Sequence, residues 1–117
     1  MVHEEKKVAK IVEELTMFFF AIGGTKMSSG IEVQKEEVKI TFQCDYLPEH
    51  EHSIKKLEDY LNQPKNEGIE DVYWSLAGSG DPGETTQLLL LGMMIDRYEL
   101  QKTKNRVSLC LYKEMLR

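Results

Sequence analysis

The chain has 117 residues, 41% hydrophobic and 30% charged, and this size and composition predict one globular domain spanning residues 1–117. Its 20 acidic and 15 basic residues give a formal net charge of −5, which argues against a nucleic-acid-binding protein. The longest uninterrupted apolar run covers residues 17–22 and that of the third predicted helix only residues 88–91, whereas a membrane span needs roughly 20 apolar residues. The charged N-terminus also lacks the apolar core of a signal peptide. We therefore expect a cytoplasmic protein with no membrane partner.

The two cysteines, Cys44 and Cys110, both fall within predicted strands. Neither has a second cysteine at CxxC spacing or a histidine close by in the sequence. We expect buried, reduced thiols rather than a disulfide or a metal site.

The first predicted element is a helix over residues 5–22. Its apolar residues recur at steps of three and four: Val8, Ile11, Val12, Leu15, Phe18, Phe19 and Ile22. Gly23 and Gly24 end it, since glycine accepts the positive φ common at helix C-termini. After a polar link over residues 28–30, apolar and polar residues alternate over residues 31–33 and 38–44. That alternation predicts a hairpin with one buried face.

Pro48 ends this hairpin, and an apolar stripe predicts a second helix over residues 51–62, which Pro64 stops. Residues 72–77 fit either a strand or a helical turn, because short apolar runs are ambiguous by periodicity. A third helix, from residue 84 to about residue 96, is apolar almost all round and should be the most buried. Residues 98–101 and 107–112 then form a closing hairpin.

This order of hairpins and helices predicts the α+β class. We expect a two-layer sandwich with a mixed or antiparallel sheet of about four to five strands and three helices on one face. Nothing in the sequence indicates an internal repeat or a low-complexity segment.

Gly78, Gly80 and Gly83 form a GxGxxG pattern between the segment at 72–77 and the third helix. Such glycines let backbone N–H groups approach a dinucleotide phosphate. A dinucleotide-binding domain needs further βα crossovers, however, and the residues after Gly83 supply only a helix and a hairpin. The run Asp81-Pro82-Gly83-Glu84 also matches an N-cap, a first-turn proline and a capping box, so the helix caps itself. We interpret the loop as structural, with an anion site as the alternative.

Three parts of the chain resemble the ATP-binding domain of the histidine-kinase, gyrase and Hsp90 superfamily, in the small version found in anti-sigma-factor serine kinases. These parts are the helix from Glu14 to Gly23, the hairpin running into Cys44 and Asp45, and the last helix with its closing hairpin. In that family a helix Glu is followed four residues later by a metal-binding Asn, and the hairpin delivers an adenine-binding Asp. The resemblance implies nucleotide-binding roles for Glu14 and Asp45, with residues 78–83 in the region of the mobile lid.

The chain departs from this family at its functional positions. Phe18 stands where the family has its Asn, and a phenyl ring supplies no oxygen ligand for Mg²⁺. Leu47 and Glu49 replace the glycines expected after Asp45, and Thr85 and Gln87 replace those of the phosphate-side box. These departures predict a scaffold that kept the fold and lost the chemistry of ATP hydrolysis.

Other patterns yield interface candidates rather than catalytic groups. Residues 49–52 alternate Glu and His, but residues two apart point in different directions on a helix, so we expect a solvated first turn and no metal site. At helical spacing, Met17 or Phe20 must point away from the core. Tyr73 and Trp74 point in opposite directions if their segment is extended. These four are candidate interface residues.

Two functional hypotheses follow. The first is a non-catalytic regulatory or interaction domain without a cofactor, which binds a protein partner or itself near Met17, Phe20, Tyr73 and Trp74. The second is an adenine-nucleotide-binding protein, or an anti-sigma-factor-like serine kinase, that holds ATP or ADP with Mg²⁺. Its nucleotide-binding residues would be Glu14, Asp45, Gly78, Gly80 and Gly83. The sequence favours the first and leans away from an enzyme.

Overall fold

The structure is a computed structural model that describes residues 2–64, 88 and 91–115. Helix α1 covers Val2–Ala21, and helix α2 covers Glu51–Leu61 after a 3-10 turn at Pro48–His50. The four strands are β1, Met27–Val33; β2, Glu37–Asp45; β3, Arg97–Thr103; and β4, Arg106–Glu114.

The strands form one antiparallel sheet in the order β1-β2-β4-β3. Each hairpin pairs strands that are neighbours in sequence, and the two hairpins meet where β2 pairs with β4. That central register runs from Glu37 opposite Glu114 to Asp45 opposite Arg106, so both strands are paired along their whole length. β1 and β3 are the outer strands among the described residues.

One face of the sheet is buried, because apolar residues occupy alternate positions of the two central strands. The buried set is Val38, Ile40, Phe42 and Cys44 from β2 with Val107, Leu109 and Leu111 from β4. The apolar stripes of α1 and α2 pack into the same cluster, represented by Ile11, Leu15 and Phe19 of α1 and Ile54, Leu57 and Leu61 of α2. Both helices therefore lie on one face of the sheet, and the opposite face is polar.

The α+β prediction is confirmed, while its details differ. Within the described residues the sheet has four strands and is antiparallel throughout, and two complete α-helices are present where three were predicted. Of the third predicted helix only Leu88 and residues 91–96 are described; Leu88, Leu91 and Gly92 are helical. The predicted end near Asp96 is too late, because the N–H of Asp96 already donates to the carbonyl of Tyr112 at 2.9 Å. The segment at 72–77 lies outside the described residues.

Strand β1 begins earlier than the sequence predicts. Residues 28–30, a Ser-Ser-Gly run expected to be a polar link, are paired with residues 41–43 of β2. Serine and glycine have low strand propensity, but cross-strand pairing overrides propensity when the neighbouring strand is long and already fixed. The nine-residue β2 supplies that template.

Three side chains predicted to be buried are not. Ile31 and Val33 face the helix side of the sheet, opposite Ile40 and Val38, yet they remain exposed because β1 is an outer strand. Cys110 alternates with the buried Leu109 and Leu111, so its thiol lies on the polar face and is partly exposed. Cys44 is buried as expected, and both cysteines are free thiols.

Glycines fit the places where elements approach closely. Gly23 has a φ of +86°, and its N–H donates to the carbonyl of Phe20, so it ends α1 as predicted. Gly92 lies directly on the last turn of α2: a Cβ there would meet the carbonyl oxygen of Tyr60 and would lie 2.7 Å from its carbonyl carbon. Any side chain at Gly92 would push this segment away from α2.

We predict that Gly92→Ala lowers the free energy of unfolding by about 1–3 kcal/mol, the usual cost of overpacking. At an uncrowded helical position the same change would stabilise the fold by about 0.5–1 kcal/mol. Urea unfolding measures the difference.

Gly30→Ala is the matched control, measured at protein concentrations low enough that association of copies does not contribute, because it restricts the unfolded chain equally and within one copy meets only the rotatable hydroxyl of Thr41 at 2.9 Å. Equal stability of the two variants would contradict the close approach between Gly92 and α2.

Candidate functional site

The outer face of α1 carries two large apolar side chains. Phe18 and Phe19 are buried and their rings stack edge to face with centroids 5.4 Å apart, whereas Phe20 is 60% exposed. Met17, three residues earlier and so on the same side of the helix, is 44% exposed. The sequence indicated Met17 or Phe20 as an exposed apolar residue, and both are exposed; their role at an interface stays a prediction.

Leu47 extends this surface beyond the end of α1. A Cβ placed on Gly23 would lie 2.8 Å from Cδ1 of Leu47, so the leucine lies against the glycine three residues after Phe20. Its side chain is 45% exposed although it follows the last residues of β2 directly. We call Met17, Phe20 and Leu47 the α1-end patch. Sequence reasoning considered Leu47 only as a missing glycine; an apolar residue just before Pro48 was the signal for it.

A second apolar surface lies beside β1. Ile31 and Val33 are 53% and 63% exposed, and they border a groove of about 310 Å³ whose other walls are Glu5, Val8, Val38 and Met115. Val8, Val38 and Met115 are buried and form its floor. Isolated exposed apolar residues are ordinary, but two at alternate positions next to an apolar groove form a surface that another chain could cover. Sequence reasoning missed this surface, because the same alternation predicted burial.

The third surface is the polar face of the sheet. The guanidinium of Arg97 stacks on the ring of Tyr112 with its carbon 3.8 Å from the centroid, and its two nitrogens donate to both oxygens of Glu37 at 3.2 and 3.3 Å. This fork also offsets the repulsion between Glu37 and Glu114, which are directly opposite across β2 and β4. The Arg97–Glu37 pair lines a shallow depression of about 630 Å³ together with the charged residues Lys35, Glu36, Asp96 and Glu114.

Asp45, the predicted adenine-binding residue, lies at the end of β2 as expected. Its carboxylate accepts hydrogen bonds from the hydroxyl of Thr25 at 2.6 Å and from the backbone N–H groups of Thr25 and Lys26, each at 2.8 Å. The Thr25 hydroxyl, followed by these two N–H groups, holds the pKa of the carboxyl well below its usual range. Asp45 thereby ties the turn between α1 and β1 to the sheet, and both of its oxygens already have partners.

Glu14 is the other residue to which the family resemblance assigns a nucleotide-binding role. It lies on the inner face of α1 and is buried. Phe18, one turn further along, is buried as well, so its ring packs in the core at the position where the resembled family has a metal-binding Asn. Gly78, Gly80 and Gly83 lie outside the described residues, as do the interface candidates Tyr73 and Trp74. The nucleotide-binding roles of Glu14, Asp45 and these glycines stay predictions.

Cys44, the residue before Asp45, has a thiol of low reactivity. Burial, followed by the charge of Asp45, raises the pKa of the Cys44 thiol to about 11. Since the thiolate is the reactive form of cysteine, a thiol with this pKa is a poor nucleophile at neutral pH. Cys44 therefore serves the core, where Gly24 makes room for its sulfur.

Sequence reasoning missed a buried charged cluster near the start of α1. Lys113 continues the alternation Val107, Leu109, Leu111 on the buried face, and its ammonium donates to the carbonyl of Met94 at 3.3 Å and lies 3.9 Å from Glu4. Glu4 also pairs with Lys7 at 3.0 Å. The alternation along β4 was the available signal. The cluster joins α1, β4 and the segment before β3, and it holds the first turn of α1 in place.

No helix within the described residues is both long and apolar enough to cross a bilayer. In the same part of the chain, no group of three or more His, Cys, Asp or Glu side chains is arranged to hold a metal ion.

At residues 49–52, the carboxylate of Glu51 accepts from the hydroxyl of Tyr46 at 2.8 Å and from Lys102 at 2.9 Å. Glu51 thus links the start of α2 to β3.

Comparison of the chain with protein-family models, with curated proteins and with solved structures finds no match.

We predict that Asp45→Asn destabilises the fold near neutral pH and that this difference shrinks on acidification. A carboxyl whose folded pKa is lowered contributes stability above its unfolded pKa of about 3.9, and loses it as the pH falls toward the folded value. Unfolding curves of wild type and variant at pH 7, 5, 4 and 3 measure the effect.

Asp59→Asn makes the same chemical change on the exposed face of α2. Its effect should be small at every pH. A pH-independent difference for Asp45→Asn would contradict the role assigned to the ionised carboxylate.

Proposed function

We propose that this protein is a non-catalytic regulatory or interaction domain of the cytoplasm, with a histidine-kinase-like fold that has lost its ATP and Mg²⁺ positions. It binds a protein partner or a second copy through the α1-end patch. The observation that carries this proposal is the exposure of Phe20 and Met17 side by side on a helix whose other face is fully engaged in the core.

The chemistry of the patch supports binding. Burial of apolar surface contributes about 25 cal/mol per Å², and aromatic residues at the centre of interfaces account for much of the binding free energy. Phe20 is a rigid aromatic group, Met17 adapts to irregular surfaces, and Leu47 enlarges the apolar area around them. Ala21 and the backbone of Gly23 are small, so a partner could approach the helix closely there.

Two observations support the loss of nucleotide chemistry. The ring of Phe18 packs in the core where a metal-binding amide would be required, and it offers no oxygen ligand. The carboxylate of Asp45 is engaged by the turn at Thr25 and Lys26, so adenine would have to displace those hydrogen bonds. The order α1, hairpin, α2, closing hairpin is part of the element order on which the family resemblance rests, which also includes a last helix before the closing hairpin.

We predict that millimolar ATP or ADP, with or without Mg²⁺, leaves the thermal unfolding midpoint unchanged. A ligand present at 100 times its Kd would stabilise the fold by about 2.7 kcal/mol, which shifts the midpoint of a domain of this size by several degrees. Differential scanning fluorimetry measures the shift, with GTP as the control for non-specific nucleotide effects.

A shift specific to adenine nucleotides that disappears in Glu14→Gln and Asp45→Asn would overturn the proposal. It would favour an adenine-nucleotide-binding protein or an anti-sigma-factor-like serine kinase instead.

We predict that Phe20→Ser weakens partner binding at least tenfold, which corresponds to about 1.4 kcal/mol, while unfolding free energy changes by less than about 1 kcal/mol. The tagged full chain would be used to retrieve partners from the native cytoplasm, and retrieved proteins would be quantified against wild type. Self-association would be followed separately by sedimentation equilibrium.

Ala9→Ser is the matched control, since Ala9 is exposed on the same helix three turns away from Phe20. Binding that Phe20→Ser leaves intact, or loss of binding in Ala9→Ser as well, would contradict the α1-end patch as the binding surface.

A further inference from the structure

The outer edge of β1 presents backbone hydrogen-bonding groups at defined positions. In the hairpin the N–H of Gln34 donates to the carbonyl of Glu37, so the even-numbered residues of β1 exchange hydrogen bonds with β2. Antiparallel strands alternate the direction of these groups residue by residue. The N–H and C=O groups of Met27, Ser29, Ile31 and Val33 therefore point outward, where no other described strand pairs with them.

The side chains of the same residues lie on the helix side of the sheet. Each is opposite a buried residue of β2, from Met27 opposite Cys44 to Val33 opposite Val38. Ile31 and Val33 are more than half exposed beside the apolar groove at Glu5 and Val8. A strand added to this edge would thus gain backbone hydrogen bonds and cover apolar side chains at once, which is how β-augmentation works.

The two outer strands differ in protection. Exposed edges are usually defended by charged residues, especially lysine, or by proline. β3 has three charges, at Arg97, Glu99 and Lys102, whereas the only charge of β1 is Glu32, and β1 has no lysine or proline. Glu32 pairs with Lys39 and so lies on the polar face, away from Ile31 and Val33.

We propose that β1 pairs antiparallel with β1 of a second copy, about a two-fold axis perpendicular to the sheet, so that one sheet continues through both copies. This surface is separate from the α1-end patch, and the inference goes beyond the proposed function. A two-fold axis in that direction keeps the helices of both copies on the same side. Ile31 and Val33 of both copies then cover the groove region together.

The strand complements itself best in the register centred on Gly30. Met27 is then opposite Val33 of the second copy and Ser29 opposite Ile31 of the second copy, so every outward backbone group of β1 has a partner. On the polar face Glu32 is opposite Ser28 of the second copy, whose hydroxyl can donate to the carboxylate. If the centre of the register moved two residues along β1, from Gly30 to Glu32, this carboxylate would be opposite Glu32 of the second copy. Like charges directly opposite are destabilising.

Gly30 suits the two-fold position. The central pair does not exchange hydrogen bonds, and in such pairs the Cα atoms approach to about 4.5 Å. Glycine adds no side chain to this contact. In this register the two β1 strands overlap along their whole length, and no two like charges are opposite each other. The sequence of β1 thus complements itself, which favours a second copy over a foreign peptide as the occupant.

The test is the oligomeric state of the full chain by sedimentation equilibrium over a wide concentration range. Wild type should dimerise. Ile31→Lys should raise the dimer Kd at least tenfold, because it places a charge in the new contact. Ser29→Pro should do the same without adding charge, because it removes one outward N–H and leaves the bonds to β2 intact.

Gln101→Lys is the matched control: it is exposed on the other outer strand and should leave the dimer unchanged. Phe20→Ser should leave the dimer formed through β1 unchanged, and any association of copies through the α1-end patch would appear as species larger than this dimer that Phe20→Ser removes, so failure of this inference and failure of the proposed function are distinguishable. A monomeric wild type would overturn the pairing. So would a dimer that survives Ile31→Lys and Ser29→Pro but dissociates in Phe20→Ser.

A cysteine scan fixes the register. In a Cys110→Ser background, Gly30→Cys should form a disulfide-linked dimer under mild oxidation, because a Cα separation near 4.5 Å is within disulfide range. Glu32→Cys should not cross-link. The reverse result would overturn the register centred on Gly30.

Discussion

The pairing of β2 with β4 is the constraint on which the rest of the structure depends. These two nine-residue strands are joined along their whole length, and their alternate residues supply the floor of the core. Because the side-chain period of a strand is two, a slip of one residue would move every buried side chain to the polar face. The register also places Lys113 under the start of α1 and Asp45 under its end. The position of α1 is thereby fixed at both ends.

Much of this architecture follows from local sequence patterns. The three- and four-residue steps of α1, the glycines after it and the alternation of β2 and β4 each predict their element because propensity, pattern and burial agree. The start of β1 was missed, since Ser28, Ser29 and Gly30 have no strand propensity and are extended only because β2 is beside them. The exposure of Ile31 and Val33 was missed for a related reason. Alternation shows which face a residue is on, but strand order decides whether that face is covered.

The residues of the candidate surfaces also divide into those whose position could be predicted from the sequence and those whose position could not. Phe20 could be assigned to the outer face of α1 because three consecutive phenylalanines cannot all face one core. Leu47 could not, because its place in the patch depends on a contact with Gly23 that is distant in sequence. Asp45 illustrates a further limit. Its place at the end of β2 was predictable, yet the hydrogen bonds from Thr25 and Lys26 that occupy it come from a turn whose path no local pattern specifies.

The two outer strands differ in charge, and this difference opposes the unlimited assembly of copies through their sheet edges. A sheet grows into a fibre when one edge of a molecule accepts the opposite edge of the next, which is a head-to-tail contact that never closes. Here that contact would bring the nearly uncharged β1 against the charged β3, and Arg97, Glu99 and Lys102 would lose part of their hydration beside an edge whose only charge is Glu32. The difference between the edges thus disfavours head-to-tail growth of the sheet from one copy to the next.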